Sequence, residues 1–162
     1  MITLVLGGAR SGKSAVAESL ARRLPQPVTF VATATAADEE MAARIAEHRA
    51  RRPPEWETVE VGGPLADLLV RLPGSVLLDS LGLWLAARDA FDVDGDHLCS
   101  ALRQRPGDTV VVSDEVGLSV HPSTEAGCRF RDALGQLNQA VAEIADDVVL
   151  VVAGRRVPLE RV

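Results

Sequence analysis

The feature that most narrows what this chain can fold into is a glycine-rich turn, Gly7-Gly8-Ala9-Arg10-Ser11-Gly12-Lys13-Ser14, set between an apolar run, Ile2 to Leu6, and an amphipathic stretch that begins at Lys13. The GxxxxGK[ST] spacing has a physical purpose where a buried strand hands over to a helix. Glycines let the backbone close around phosphate oxygens, and the amides at the helix N-terminus point toward the anion. Lys13 is then placed to neutralise β- and γ-phosphates, and the Ser14 hydroxyl to complete the coordination of Mg²⁺. Lys13 is also the single lysine of the chain, the other sixteen basic residues being arginine. A compact ammonium therefore stands at the one place where the turn requires it. The competing explanation, a chance glycine turn, has to ignore the strand before it and the helix after it.

Around this turn, apolar runs alternate with helical patterns, as in a mostly parallel sheet joined by crossover helices. Strands are expected at Ile2 to Leu6, Val28 to Ala32, Thr58 to Val61, Ser75 to Leu78, Thr109 to Val112 and Val148 to Val152. Helices are expected at Lys13 to Arg23, Asp38 to Arg52, Leu65 to Leu72, Leu81 to Arg88, Asp96 to Arg103 and Thr124 to Ile144. Gly62-Gly63-Pro64, Pro73-Gly74 and Pro106-Gly107 read as turns too short to link domains. With 162 residues, 47% of them hydrophobic, residues 1–162 suit a single α/β nucleotide-binding domain.

Charge and cysteine usage exclude several classes of function. The net charge of −6 offers no global attraction for nucleic acid or anionic lipid, so any phosphate binding has to be local. No apolar stretch approaches the roughly 20 residues needed for a membrane span, and the opening residues read as a strand and not as a signal peptide. Cys99 and Cys128 form neither a disulfide framework nor a metal knuckle, which suits a reduced, cytoplasmic setting.

Three segments add candidate chemistry. Ser75-Val76-Leu77-Leu78-Asp79 is an apolar strand ending in a carboxylate, which either supplies a second magnesium anchor or caps the next helix. In the 38–52 helix, acidic residues open and arginines close the element, matching its dipole. Met41, Ile45, His48 and Arg52 share one stripe, with Arg44 one turn before His48. His48 is thus either a packing residue or a nucleophile whose neutral ring nitrogen attacks phosphorus among stabilising guanidinium groups. Glu115-Val116-Gly117 follows a buried-looking strand at the ligand-binding end of the sheet, as a contact loop or a simple turn. Phe130, Leu134, Leu137 and Val141 repeat as a core face. His97 and His121 read as surface residues, and Trp56 and Trp84 as packing anchors.

The phosphate loop, the run Glu40-Met41-Ala42-Ala43-Arg44-Ile45 with His48, and Glu115-Val116-Gly117 together resemble the adenosylcobinamide kinase and adenosylcobinamide-phosphate guanylyltransferase family. The likeness extends through Phe130-Arg131-Asp132, Gly135, Leu137-Asn138-Gln139 and Leu150-Val151-Val152-Ala153-Gly154. It implies a RecA-like P-loop fold with a short C-terminal antiparallel hairpin over Leu150 to Leu159, a homotrimeric assembly, and a two-step reaction fed by ATP or GTP. In that reaction the hydroxyl of adenosylcobinamide is phosphorylated, and GMP from GTP is then joined to adenosylcobinamide phosphate through a guanylylated histidine, giving adenosylcobinamide-GDP. By the same resemblance His48 is the guanylylated residue, and nucleotide contacts fall on Gly7 to Ser14, on Thr33, Ala34 and Thr35, on Arg49, Ala50, Arg51 and Arg52, and on Glu60 and Asp79. Glu47 stands where some relatives carry a second histidine, and Asp114 where asparagine is commoner. A P-loop kinase of another small-molecule hydroxyl would keep Lys13, Ser14 and Asp79 but leave His48 idle. A GTP-binding switch, suggested by the DxxG of Asp114 to Gly117, would need an Asn-Lys-x-Asp clamp that a chain with one lysine cannot provide.

Overall fold

A computed structural model describes residues 1–33, 46, 49–50, 52–61 and 63–161. Strands β1 (Ile2–Gly7), β2 (Val28–Ala32), β3 (Glu57–Glu60), β4 (Ser75–Asp79), β5 (Thr109–Asp114), β6 (Asp147–Val152) and β7 (Arg155–Pro158) form one sheet in the order β3-β2-β4-β5-β1-β6-β7. Every neighbouring pair is parallel except β6 with β7. Helices α1 (Lys13–Ala21), α2 (Leu65–Arg71), α3 (Leu81–Ala86), α4 (Gly95–Gln104) and α5 (Glu125–Ile144) connect them, with a 3₁₀ turn at Asp89–Phe91. All six expected strands are present, and β6 and β7 make the expected C-terminal hairpin through Ala153 and Gly154, both at positive φ. The helices at 13 and 81 end earlier than the apolar pattern suggests. The expected helix from Asp38 to Arg52 falls almost wholly outside the described residues.

The period-2 alternation of the strands sorts their side chains into two cores. On one face Ile2, Leu4, Val31, Leu78 and Val111 pack under residues of α2 to α5, including Leu69, Leu85, Leu102, Leu134 and Val141. On the other, Val5, Phe30, Leu77, Val110, Val112 and Val151 pack with Ala17 and Ala21 of α1 and with Trp56. The central strands β1, β4 and β5 are buried almost throughout, so both faces of each carry apolar side chains and their sequences read as continuous runs. The edge strand β7 is exposed at every residue. Trp56 and Trp84 are buried anchors, and Leu134, Leu137 and Val141 line the inner face of α5, as the helical spacing predicts.

Because six strands run parallel, their C-terminal ends lie along one rim. The register aligns Glu60 with Ala32, Ala32 with Asp79, and Gly7 with Asp114. From β3 to β1 this rim crosses four strand spacings, about 19 Å.

Candidate active site

The glycine turn occupies the rim between β1 and α1. A Cβ on Gly7 would come to 2.5 Å from Ser11 Oγ and 3.0 Å from the Val151 carbonyl oxygen, so only glycine lets the loop fold back this tightly. Gly12, at φ 91°, is the N-cap of α1 and brings no side chain to cap it. The helix therefore opens toward the loop without a carboxylate in its first turn, leaving its N-terminal amides and dipole to meet an anion. The Ser11 Oγ accepts from the Lys13 amide at 3.3 Å. From the neighbouring hairpin, the Gly154 amide donates to the Ser11 carbonyl at 2.7 Å. On the other side the Glu115 amide donates to the Gly7 carbonyl at 3.0 Å. The loop is thus tied to β6–β7 and to the end of β5.

Lys13 reaches back across the cradle. Its Nζ donates to the Gly8 carbonyl at 3.3 Å and forms an ion pair with Asp114 Oδ1 at 2.7 Å. Asp114 is the residue that reading the sequence missed as a site member. Its carboxylate packs against Gly82, where any side chain would collide with it. Its main-chain carbonyl accepts from Asn138 Nδ2 at 3.0 Å, while Asn138 Oδ1 accepts from the Ser113 hydroxyl at 2.6 Å. The available signal was a carboxylate at the end of a buried strand, the same signal that drew attention to Asp79.

At the end of β4 the helix cap is Ser80, whose side chain accepts from the Leu83 amide. Asp79 is therefore not the cap, which removes the competing explanation for that carboxylate. The Thr33 hydroxyl, expected to contact nucleotide, clasps Ser80: it accepts from the Ser80 amide at 2.8 Å and donates to the Ser80 carbonyl at 2.7 Å. Thr33 is buried and fixes the ends of β2 and β4 against each other. Glu60, itself exposed, ends the half-buried edge strand β3 at the far side of the rim. Arg49 and Ala50 are exposed. The Arg52 guanidinium stacks on the Phe30 ring, 3.2 Å from its centroid. Ala34, Thr35, Arg51 and His48 lie outside the described residues. The Glu115 carboxylate accepts from the amides of Gly117 and Leu118, so it closes its own turn.

The donors at the rim, the Ser14 hydroxyl and the Asp79 carboxylate, are hard oxygens. Among the described residues no group of three or more His, Cys, Asp or Glu could hold a metal. That set fits an ion such as Mg²⁺, which keeps its waters and substrate phosphates and takes only one or two protein ligands. A cleft of about 530 Å³ lies at the opposite end of the sheet, lined by Met1, Leu20, Arg23, Asp146 and Glu160 among others, away from this chemistry.

Along residues 3–159 the chain matches the family model CobU, described as cobinamide kinase / cobinamide phosphate guanyltransferase. The chain belongs to this family. The bifunctional adenosylcobalamin biosynthesis protein CobP of Pseudomonas aeruginosa is 44% identical over 169 residues, covering 99% of this chain and 98% of the relative. The protein CobU of Escherichia coli is 36% identical over 176 residues, covering 95% and 97%. As a family member the chain is an enzyme of this bifunctional kinase and guanyltransferase kind. Solved structures share its fold at low identity. A protein studied from Pyrococcus horikoshii, PH0250, is 7% identical with a TM-score of 0.55 and covers 97% of this chain and 84% of its own. A type III secretion ATPase is 14% identical with a TM-score of 0.51, covering 92% and 50%. With them, the CobU family member has a P-loop NTPase fold.

Proposed function

We propose that this enzyme phosphorylates the aminopropanol hydroxyl of adenosylcobinamide and then transfers GMP from GTP to the resulting phosphate, giving adenosylcobinamide-GDP. The observation that carries the reading is the cradle itself. A single lysine stands at the head of a helix whose N-cap glycine brings no side chain, paired with the strand-end carboxylate of Asp114, in a chain matched to the family along nearly its whole length. In the first step, loop amides and Lys13 hold the β- and γ-phosphates and stabilise the charge that gathers as the γ-phosphoryl group leaves for the acceptor hydroxyl. Ser14 and Asp79 would hold Mg²⁺, which when bound with the triphosphate offsets charge on its oxygens. Glu60, Thr33 and Asp79 extend the rim away from the loop, giving room for a nucleoside and an acceptor side by side.

In the second step His48 attacks the α-phosphorus of GTP and pyrophosphate leaves. The phosphate of the acceptor then displaces the imidazole, which carries GMP across. A covalent intermediate divides a difficult exchange between two anions into two displacements. Arg49 and Arg51, beside His48 in sequence, supply the cations such a ring needs. The resemblance supports a homotrimer, for which sedimentation equilibrium should return three chain masses, and the sparse cysteines suit a cytoplasmic setting.

Incubation with GTP labelled at the α-phosphate, followed by protein precipitation, tests the central claim. Acid-labile, base-stable label should appear on the wild type and be absent from His48→Ala. That variant should still phosphorylate adenosylcobinamide, as read by mass analysis, whereas Lys13→Ala should lose phosphorylation on the order of a thousandfold. Persistent label on His48→Ala would remove the histidine from the mechanism.

A further inference from the structure

The ion pair between Lys13 and Asp114 has a consequence for how nucleotide enters. The side chains of Lys13 and Asp114 are 14% and 30% exposed, so water screens the pair only in part. The Nζ lies 2.7 Å from the carboxylate oxygen, and the ammonium that should greet phosphate is already neutralised. The carboxylate has little freedom to move aside, because β5 fixes its backbone, Asn138 Nδ2 holds its main-chain carbonyl, and Gly82 lies directly against its side chain.

We propose that Asp114 is a positioning residue that makes nucleotide binding depend on the accompanying cation. A metal-free triphosphate arriving at the loop has to draw Lys13 away from Asp114 and leaves a carboxylate facing a polyanion, uncompensated, in a partly buried place. A triphosphate arriving as its Mg²⁺ complex carries less negative charge and brings a cation that balances the carboxylate Lys13 has left. Asp114 thus penalises the free nucleotide more than the metal complex, and the cation and nucleotide become thermodynamically linked through it. Asparagine at 114 would keep the shape and could still accept a hydrogen bond from Lys13, yet carry no charge to penalise either form. The inference rests on the glycine loop being the triphosphate site.

The test measures the dissociation constant of a fluorescent GTP analogue, with excess Mg²⁺ and with EDTA, for the wild type, Asp114→Asn and Asp147→Asn. Asp147 is exposed at the start of β6, at the other end of the sheet, and controls for loss of a negative charge in general. Asp114→Asn should tighten binding in EDTA about tenfold, leave binding in Mg²⁺ within about twofold, and so shrink the ratio between the two conditions. Asp147→Asn should keep the wild-type ratio. An unchanged ratio in Asp114→Asn, equal weakening in both conditions, or the same change in both variants would each overturn the proposal while leaving the loop as the nucleotide site. A wild type that bound the analogue in neither condition would overturn both.

Discussion

Arg105 carries a large share of the order at the base of the sheet while having no part in the chemistry. It is 5% exposed, and burial pushes its guanidinium below the ordinary arginine value, with the charge of Asp108 acting in the opposite direction. What makes burial tolerable is its set of acceptors. Nη1 donates to the carbonyls of Gly107 and Asp108 and to Thr109 Oγ1, and Nη2 to the carbonyls of Leu72 and Gly74. The fork therefore joins the turns before β4 and β5. Arg105→Met should destabilise the protein by about 3 kcal/mol or more, since buried carbonyls lose their donors; a urea titration would read this as a lower midpoint at unchanged slope. Arg105→Lys, with the charge but without the fork, should recover less than half of the loss, and neither change should move nucleotide affinity. Nothing in the sequence singles this arginine out, because its partners, Thr109 Oγ1 apart, are main-chain atoms of turns more than thirty residues apart. Asp114 was hidden for a related reason. Its partner Lys13 is about a hundred positions away in sequence, and the two meet only because β5, late in the chain, inserts between β1 and β4.

Among the elements, those with a strong local pattern were legible: the buried strands, the α5 core stripe and the phosphate loop each encode themselves within a few residues. Strand order was not, since it depends on which apolar faces meet after the crossovers form. The β6–β7 hairpin shows the difference. Its strands could be expected from Leu150 to Leu159, but not that its turn would brace the phosphate loop. Gly154, at φ 73°, donates to the Ser11 carbonyl at 2.7 Å, and a Cβ on Gly12 would come to 3.2 Å from its Cα. There is open space where a Cβ on Gly154 would sit, so a substitution there acts through its backbone angle alone. Gly154→Val forces a β-branched residue into the left-handed region at a cost of about 1–2 kcal/mol, and the turn should relax away from Ser11. The expected result is nucleotide binding about tenfold weaker with the circular dichroism spectrum retained. Unchanged affinity beside a lowered melting temperature would make the hairpin a stabilising element only.

At the scale of the whole molecule, the same ties decide how binding at the rim is felt elsewhere. Ser11 is bonded to the hairpin, Gly7 to the end of β5 through Glu115, and Lys13 to Asp114, so the cradle is anchored to strands that run through both cores. A ligand that binds only this folded arrangement has to stabilise the protein against global unfolding, and by an amount set by mass action. At a concentration about one hundred times its dissociation constant, Mg²⁺–GTP contributes about 2.7 kcal/mol. For a domain of this length each kcal/mol moves the melting temperature by about 2–4 °C, which gives a rise of roughly 5–10 °C. Lys13→Ala, unable to hold the phosphates, should show little of this rise at the same nucleotide concentration, measured from its own unliganded melting temperature, which should lie below the wild type's because Asp114 loses its partner. If the cradle were instead a separately fraying segment, nucleotide would protect only its own amides from hydrogen exchange, and the global transition would stay where it is. Differential scanning calorimetry with and without Mg²⁺–GTP separates the two cases, because the central strands can share the stabilisation only if the main-chain bonds from Ser11 and Gly7 carry it to them.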